Sequence, residues 1–210
     1  MKQRKIGIYP GVFDPVHTGH VTAALQAIEK AGLDELYFLP ERRPRDKRGI
    51  EHFGHRVAML RRAAGLHPRI GVLELEDVSF TVDHTLRRVR QRFPRARLVF
   101  LFGSDVVPKI AAWPHYEKLL LGSDLVISLR DDDQKSALEE EMQKWSVKPQ
   151  GTIVFSSHVP SVSSKLVRLA LRQGTQAKGL LKSVERYSRL NWLYVSIAER
   201  AVNSRISSSD

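Results

Sequence analysis

Leu98-Val99-Phe100-Leu101-Phe102 is an unbroken run of large apolar residues. A strand with one wet face alternates polar and apolar side chains, so a run of this kind has to be covered on both sides. A central strand of a layered sheet meets that demand. Shorter runs at 5–9, 36–39, 70–75, 125–128 and 152–155 read as its neighbours. Between them lie stretches with apolar residues at the helical period. Val21, Ala24, Leu25 and Ile28 share one face of a helix that Gly32 ends, 53–64 is stopped by Gly65, and an Arg-rich helix from about 83 to 93 is closed by Pro94. Short helices are predicted over 106–112 and 115–121, and Asp131-Asp132-Asp133 introduces a helix to about Trp145. A further helix covers 163–172 and ends at Gly174, and the last one runs over roughly 184–202. Strand and helix alternate throughout, which predicts an α/β fold: a doubly wound parallel sheet with helices on both faces. The expected organisation is a single domain over 1–203, with a small C-terminal helical part from about 163 and a disordered tail at 204–210.

Composition narrows the function classes. Hydrophobic residues at 42% and charged residues at 27% suit a packed globule. There is no cysteine, which excludes a disulfide framework, a thiolate zinc site and a cysteine nucleophile. No apolar run reaches the ~18 residues of a membrane span, and the opening Met1-Lys2-Gln3-Arg4-Lys5 leads straight into a strand, so a cytoplasmic protein with no membrane partner is expected. Lys and Arg outnumber Asp and Glu by 34 to 23, a net charge of +11. That balance favours anionic partners: nucleotides, phosphorylated metabolites or nucleic acid.

The densest chemical signal is Tyr9-Pro10-Gly11-Val12-Phe13-Asp14-Pro15-Val16-His17-Thr18-Gly19-His20, which joins the first strand to the first helix. In a sheet of this kind ligands sit beyond the carboxyl ends of the strands. Gly11 is expected to use backbone angles closed to other residues and so let main-chain N–H groups approach an anion. His17 and His20 lie three apart in the first helical turn, on one side, where the helix dipole also favours negative charge. Gly19 leaves room for a nucleotide against the helix start. Imidazole donors at a helix N-terminus suit charge developing at phosphorus. The alternative readings of the same histidines are a helix cap, a surface residue or half a metal site, but no Glu stands between them as in a zinc protease motif, and no metal is expected on the protein.

This string resembles the HxGH signature of the nucleotidylyltransferase superfamily, whose members join a nucleotide's α-phosphate to a phosphorylated acceptor and release pyrophosphate. The resemblance implies a Rossmann-like fold. Phe80-Thr81-Val82-Asp83-His84-Thr85-Leu86, then Gly103-Ser104-Asp105 with Trp113 and Leu119-Leu120, and Arg56 with Met59 and Leu60, are similar to blocks of bacterial nicotinate-nucleotide adenylyltransferases. Ser163-Ser164-Lys165-Leu166-Val167-Arg168, with Val184 and Tyr187, is similar to the C-terminal block of that family. The likeness covers about residues 5 to 195. Departures are His84, which looks inserted before Thr85, Asp46 within Pro44-Arg45-Asp46-Lys47, and Lys165.

The resemblance implies adenylyl transfer from ATP to nicotinate mononucleotide in NAD biosynthesis, with Mg2+ carried on the ATP phosphates and with a homo-oligomer left open. It makes His17, His20, Lys47 and Arg168 the catalytic set. Tyr9, Pro10, Gly11, Val12, Phe13, His17, Gly19, His20, Gly103, Asp105, Ser163, Ser164 and Arg168 become ATP ligands. Phe13, Lys47, Thr85, Asp105 and Trp113 become acceptor ligands. Bland roles stand beside these: Asp105 and Ser163 as helix caps, Trp113 as a core residue, and 131–133 as a helix-start charge run. Ile8-Tyr9-Pro10-Gly11 and the Ser163 block also resemble pantetheine-phosphate adenylyltransferase, which is the alternative reading. The rival class is a nucleic-acid-binding or regulatory protein, favoured by the basic stretches 42–48 and 87–97. The first stretch has no aromatic residue and the second has only Phe93, not the repeated aromatics that stack on single strands, so no nucleic acid is expected.

Overall fold

In the computed structural model, which describes residues 3–44, 49–129, 135–156 and 162–195, six strands form one parallel sheet. They are β1 (Lys5–Gly11), β2 (Glu35–Pro40), β3 (Ile70–Val72), β4 (Arg97–Gly103), β5 (Asp124–Leu129) and β6 (Thr152–Ser156), in the order β3-β2-β1-β4-β5-β6. This is the doubly wound Rossmann order, in which the direction of winding reverses between β1 and β4. The helices are α1 (Thr18–Lys30), α2 (Phe53–Ala64), α3 (Val82–Arg92), α4 (Val107–Ile110), α5 (Tyr116–Gly122), α6 (Lys135–Gln143), α7 (Ser164–Arg172) and α8 (Lys182–Leu190).

The period-2 geometry of a strand splits the apolar run of β4 between two cores. Leu98, Phe100 and Phe102 pack with Val89, Ile110, Leu119 and Leu120 of α3 to α5. Val99 and Leu101 pack on the opposite face with Ala24, Met59, Val167 and Val184 of α1, α2, α7 and α8. Phe100 is fully buried, and truncating such a side chain to alanine costs about 3–5 kcal/mol. The small C-terminal helices α7 and α8 therefore complete the layer that also covers β1 with α1.

Two boundaries differ from expectation. β3 stops at Val72 rather than running to 75: Leu73 N–H still reaches the Phe38 carbonyl at 2.8 Å, and the ladder then ends as the chain turns toward α3. α8 ends at Leu190, not near 202. Asn191 caps it, and the following residues turn back with positive φ at Trp192 and Tyr194, because tertiary bonds to Tyr194 outweigh helical propensity. The acidic run 131–133 and the tail from 196 lie outside the described residues. Among the described residues no helix is long and apolar enough to cross a membrane.

Candidate active site

β1 pairs with β4 in the register Ile8 to Phe100, so Gly11 and Gly103 end the two strands at the same level. The loop that follows β1 and the turn that follows β4 thus flank the crevice where the strand order reverses. His17 is the N-cap of α1, and its backbone N–H donates to His20 Nδ1 at 3.3 Å. The two imidazoles lie 3.8 Å apart between centroids and only 31° from parallel, one against the other at the positive end of the helix. Gly19 has its physical reason here: a Cβ on it would stand 3.1 Å from the His17 ring. Its missing side chain makes space for an imidazole.

Gly11 behaves differently from its expected role. Its φ is not positive; the left-handed residue of the loop is Phe13, at φ 50°. A Cβ at Gly11 would come within 2.8 Å of the Phe13 ring, so the glycine accommodates that ring. Phe13 in turn packs edge-on to Tyr9, His20 and Phe38 at 5.4, 5.1 and 5.1 Å. This buried aromatic cluster fixes the His20 ring from below.

α7 docks onto the same loop. Ser163 caps the helix by accepting the Leu166 N–H, and Ser164 Oγ donates to the Pro15 carbonyl at 3.0 Å. One turn on, Arg168 Nη1 donates to the Asp14 carbonyl at 2.6 Å. Thr18 N–H donates to the Gly179 carbonyl at 2.8 Å, closing the contact on the far side. The structure thus brings Tyr9, Phe13, His17, His20, Ser163, Ser164 and Arg168 around one loop, although 140 residues and more separate its two halves in the chain.

After β4, Ser104 to Val106 form a single 3-10 turn whose N-cap is Gly103, not Asp105. Asp105 is exposed on that turn, and a Cβ on Gly103 would meet its carboxylate at 2.6 Å, so Gly103 makes room for it. Trp113 is half-buried, with its ring 5.3 Å from Phe80 and 5.7 Å from Phe102. Thr85 is buried, and its Oγ1 accepts the Thr81 N–H at 3.1 Å while Thr85 N–H returns to the Thr81 carbonyl. His84 is exposed on the outer side of α3 and leaves Thr85 facing inward. Lys47 and Asp46 lie outside the described residues.

Sequence reasoning noted Arg56 only as part of a matching block. It is fully buried, and its guanidinium donates to the carbonyls of Val12 (2.7 Å), Glu41 (2.7 Å), Arg42 (3.0 Å) and Glu51 (3.0 Å). It pins the loops after β1 and β2 to α2. A signal was present: an arginine at the spacing that places Leu60 and Ala63 on the buried face. Asp14 was also passed over. It is buried, accepts the Tyr194 hydroxyl at 2.9 Å, and sits 3.8 Å from Arg168. Burial raises its carboxyl above the usual range, against the lowering effects of the Tyr194 hydrogen bond and of Arg168.

Among the described residues no group of His, Asp or Glu side chains is arranged to hold a metal ion. The donors that do converge are imidazole, guanidinium, hydroxyl and backbone N–H groups at helix starts. That is a set for phosphate oxygens.

A doubly wound sheet with paired imidazoles at its switch point defines a nucleotidyltransferase. The chain belongs to the cytidylyltransferase-like family, whose model matches residues 8–210, and within it to the nicotinate-nucleotide adenylyltransferases. It is 30% identical over 199 residues to a Neisseria meningitidis serogroup C protein described as "Probable nicotinate-nucleotide adenylyltransferase", covering 91% of this chain and 98% of that one. A Bacillus pumilus protein of the same description is 32% identical over 202 residues, 92% of this chain and 100% of that one. The fold is shared with Plasmodium falciparum nicotinic acid mononucleotide adenylyltransferase complexed with NaAD, at a TM-score of 0.76 and 21% identity, covering 91% and 98% of the two chains.

Proposed function

We propose that the chain transfers the adenylyl group of ATP to nicotinate mononucleotide, forming nicotinate adenine dinucleotide and pyrophosphate. The observation that carries this reading is the stacked His17–His20 pair at the N-terminus of α1, set at the crevice between β1 and β4. A phosphate oxygen of the acceptor attacks the α-phosphorus in line; the new P–O bond forms as the bond to the β-phosphate oxygen breaks, and pyrophosphate leaves with that electron pair. The attacking phosphate is already ionised at neutral pH, so no general base is required, and the work of the site is positioning and charge stabilisation.

In this reading His17 and His20 steady the α-phosphate, while Arg168, with Lys47 from the basic stretch 42–48, meets the β- and γ-phosphates. Gly11, Val12 and Gly19 contribute main chain and space, and the α7 start adds the Ser163 hydroxyl while Ser164, bonded to Pro15, holds the loop against the phosphates. Asp105 accepts hydrogen bonds from a ribose. Trp113 offers a flat face for the pyridine ring, and Thr85 fixes the turn whose backbone N–H groups take its carboxylate. The donor set suits Mg2+ entering on the triphosphate, where it would offset charge on the departing pyrophosphate. Use of ATP as donor supports a cytoplasmic location.

Pyrophosphate release with ATP, Mg2+ and one acceptor at a time tests the reading. Nicotinate mononucleotide is expected to give the highest kcat/KM. Preference for phosphopantetheine or for nicotinamide mononucleotide overturns the acceptor. Salt-resistant RNA binding without adenylyl transfer overturns the class.

A further inference from the structure

Under the loop that carries His17, two carboxylates hold one residue from the far end of the chain. Tyr194 is buried and adopts φ 66°, a left-handed conformation that bulky side chains rarely take. Its backbone N–H donates to Glu51 Oε1 at 3.1 Å, and its hydroxyl donates to Asp14 Oδ1 at 2.9 Å. Burial and the neighbouring carboxylates push the Tyr194 hydroxyl far up, so it stays a donor at any working pH. The Glu51 N–H also donates to Asp14 Oδ1, at 3.3 Å. Both neutral donors therefore converge on one carboxylate oxygen. The other, Oδ2, faces Arg168 Nη1 at 3.8 Å, close enough to attract it and too far to bond it. Nη1 bonds the Asp14 carbonyl instead.

This division has a consequence for Arg168. A carboxylate that rotated to grip the guanidinium through both oxygens would engage two of its donors and neutralise it. Tyr194 and Glu51 hold Oδ1 away, so Asp14 orients the arginine without capturing it. We propose that Tyr194 is a positioning residue for adenylyl transfer: through Asp14 it holds Arg168 in the attitude that presents its fork to the triphosphate. The proposal rests on Arg168 being a phosphate ligand, as read above.

Binding of α,β-methylene ATP, which cannot be cleaved between its α- and β-phosphorus, tests it on the full chain with no acceptor present. Tyr194→Phe keeps the ring and removes the donor; it is expected to raise Kd about tenfold, the effect of losing one charge-assisted hydrogen bond from a misplaced Arg168 to the triphosphate. In an Arg168→Ala background the same change is expected to shift Kd by less than about twofold, because a residue acting through Arg168 has nothing left to orient. A merely structural role would multiply the two losses. Asp14→Asn retains an acceptor for Tyr194 and removes the buried charge, so it folds even where Tyr194→Phe does not, and it is expected to weaken the analogue about tenfold. Unchanged binding in Tyr194→Phe or in Asp14→Asn, or multiplicative losses in the double variant, overturn the proposal while leaving the proposed reaction intact. Failure of the unmodified chain to bind the analogue overturns both.

Discussion

His20 Nδ1 accepts the His17 N–H, and its ring is wedged between Phe13 and His17, so one side chain both finishes the start of α1 and faces the crevice. His20→Ala removes the two contributions unequally. The lost cap is expected to cost about 0.5–2 kcal/mol of stability, read from urea unfolding. The lost phosphate donor is expected to cost about 2.7–4 kcal/mol of transition-state stabilisation, a hundredfold or more in kcat. Near-full turnover in a folded variant would remove His20 from the chemistry. Asp14 gives a pH prediction. Burial raises its carboxyl, so the unfolded chain releases that proton at a lower pH than the folded chain does. As pH climbs from about 4 toward the raised value, the folded state binds more protons than the unfolded one and loses stability. Burial sets the direction; the Tyr194 hydroxyl, the Arg168 charge and the Glu51 N–H each lower the carboxyl, and the Glu51 carboxylate raises it further. Asp14→Asn is expected to flatten this part of the stability profile and to unfold at a urea concentration no lower than the parent's at neutral pH.

At the scale of elements, α2 and α7 act as braces for the two loops they touch. Arg56 is the brace of α2: replacing it by methionine leaves four carbonyls of the loops after β1 and β2, and of the entry to α2, without their donor. A loss of about 3–5 kcal/mol is expected in denaturant unfolding, with weaker ATP binding in whatever remains folded. Ser164→Ala removes the bond to the Pro15 carbonyl and is expected to cost only about 0.5–1.5 kcal/mol, because α7 is also held by Arg168 and by buried Val167 and Leu171. Legibility differs between these elements for a physical reason. Helices α1, α2, α3 and α7 carry periodic apolar residues and the strand at Leu98 an unbroken apolar run, and both patterns survive in a bare sequence. The end of α8 does not, because Glu51 and Asp14, more than 140 residues away, decide it. Nor did the role of Gly11: glycine in a loop suggests unusual backbone angles, whereas here the strained angle belongs to Phe13 and the glycine clears the ring's path.

For the molecule as a whole, the sheet brings the ends of β1 and β4 together at the crevice, and its order follows from alternation only through the strong handedness of parallel crossovers. The His17–His20 pair was legible because neighbours in sequence stay neighbours on a helix. Arg56, Asp14 and Tyr194 meet across the chain and left no such local trace. The net charge of +11 produces a field that extends beyond any single contact. Association with the anionic Mg2+–nucleotide complex is expected to weaken as the Debye length shrinks from about 10 Å at 0.1 M salt to about 3 Å at 1 M. The expected result is a several-fold fall in kcat/KM for ATP with a much smaller change in kcat at saturation, measured across a salt series with Mg2+ held constant.

The fastening of Pro15 by Ser164, of Asp14 by Arg168 and of Thr18 by Gly179 also has a meaning in time. During synthesis the histidine-bearing turn leaves the ribosome about 150 residues ahead of its fasteners. A nascent chain can therefore wind much of its sheet and still be unable to grip a nucleotide; α7 must be made before the turn is held in shape for ATP.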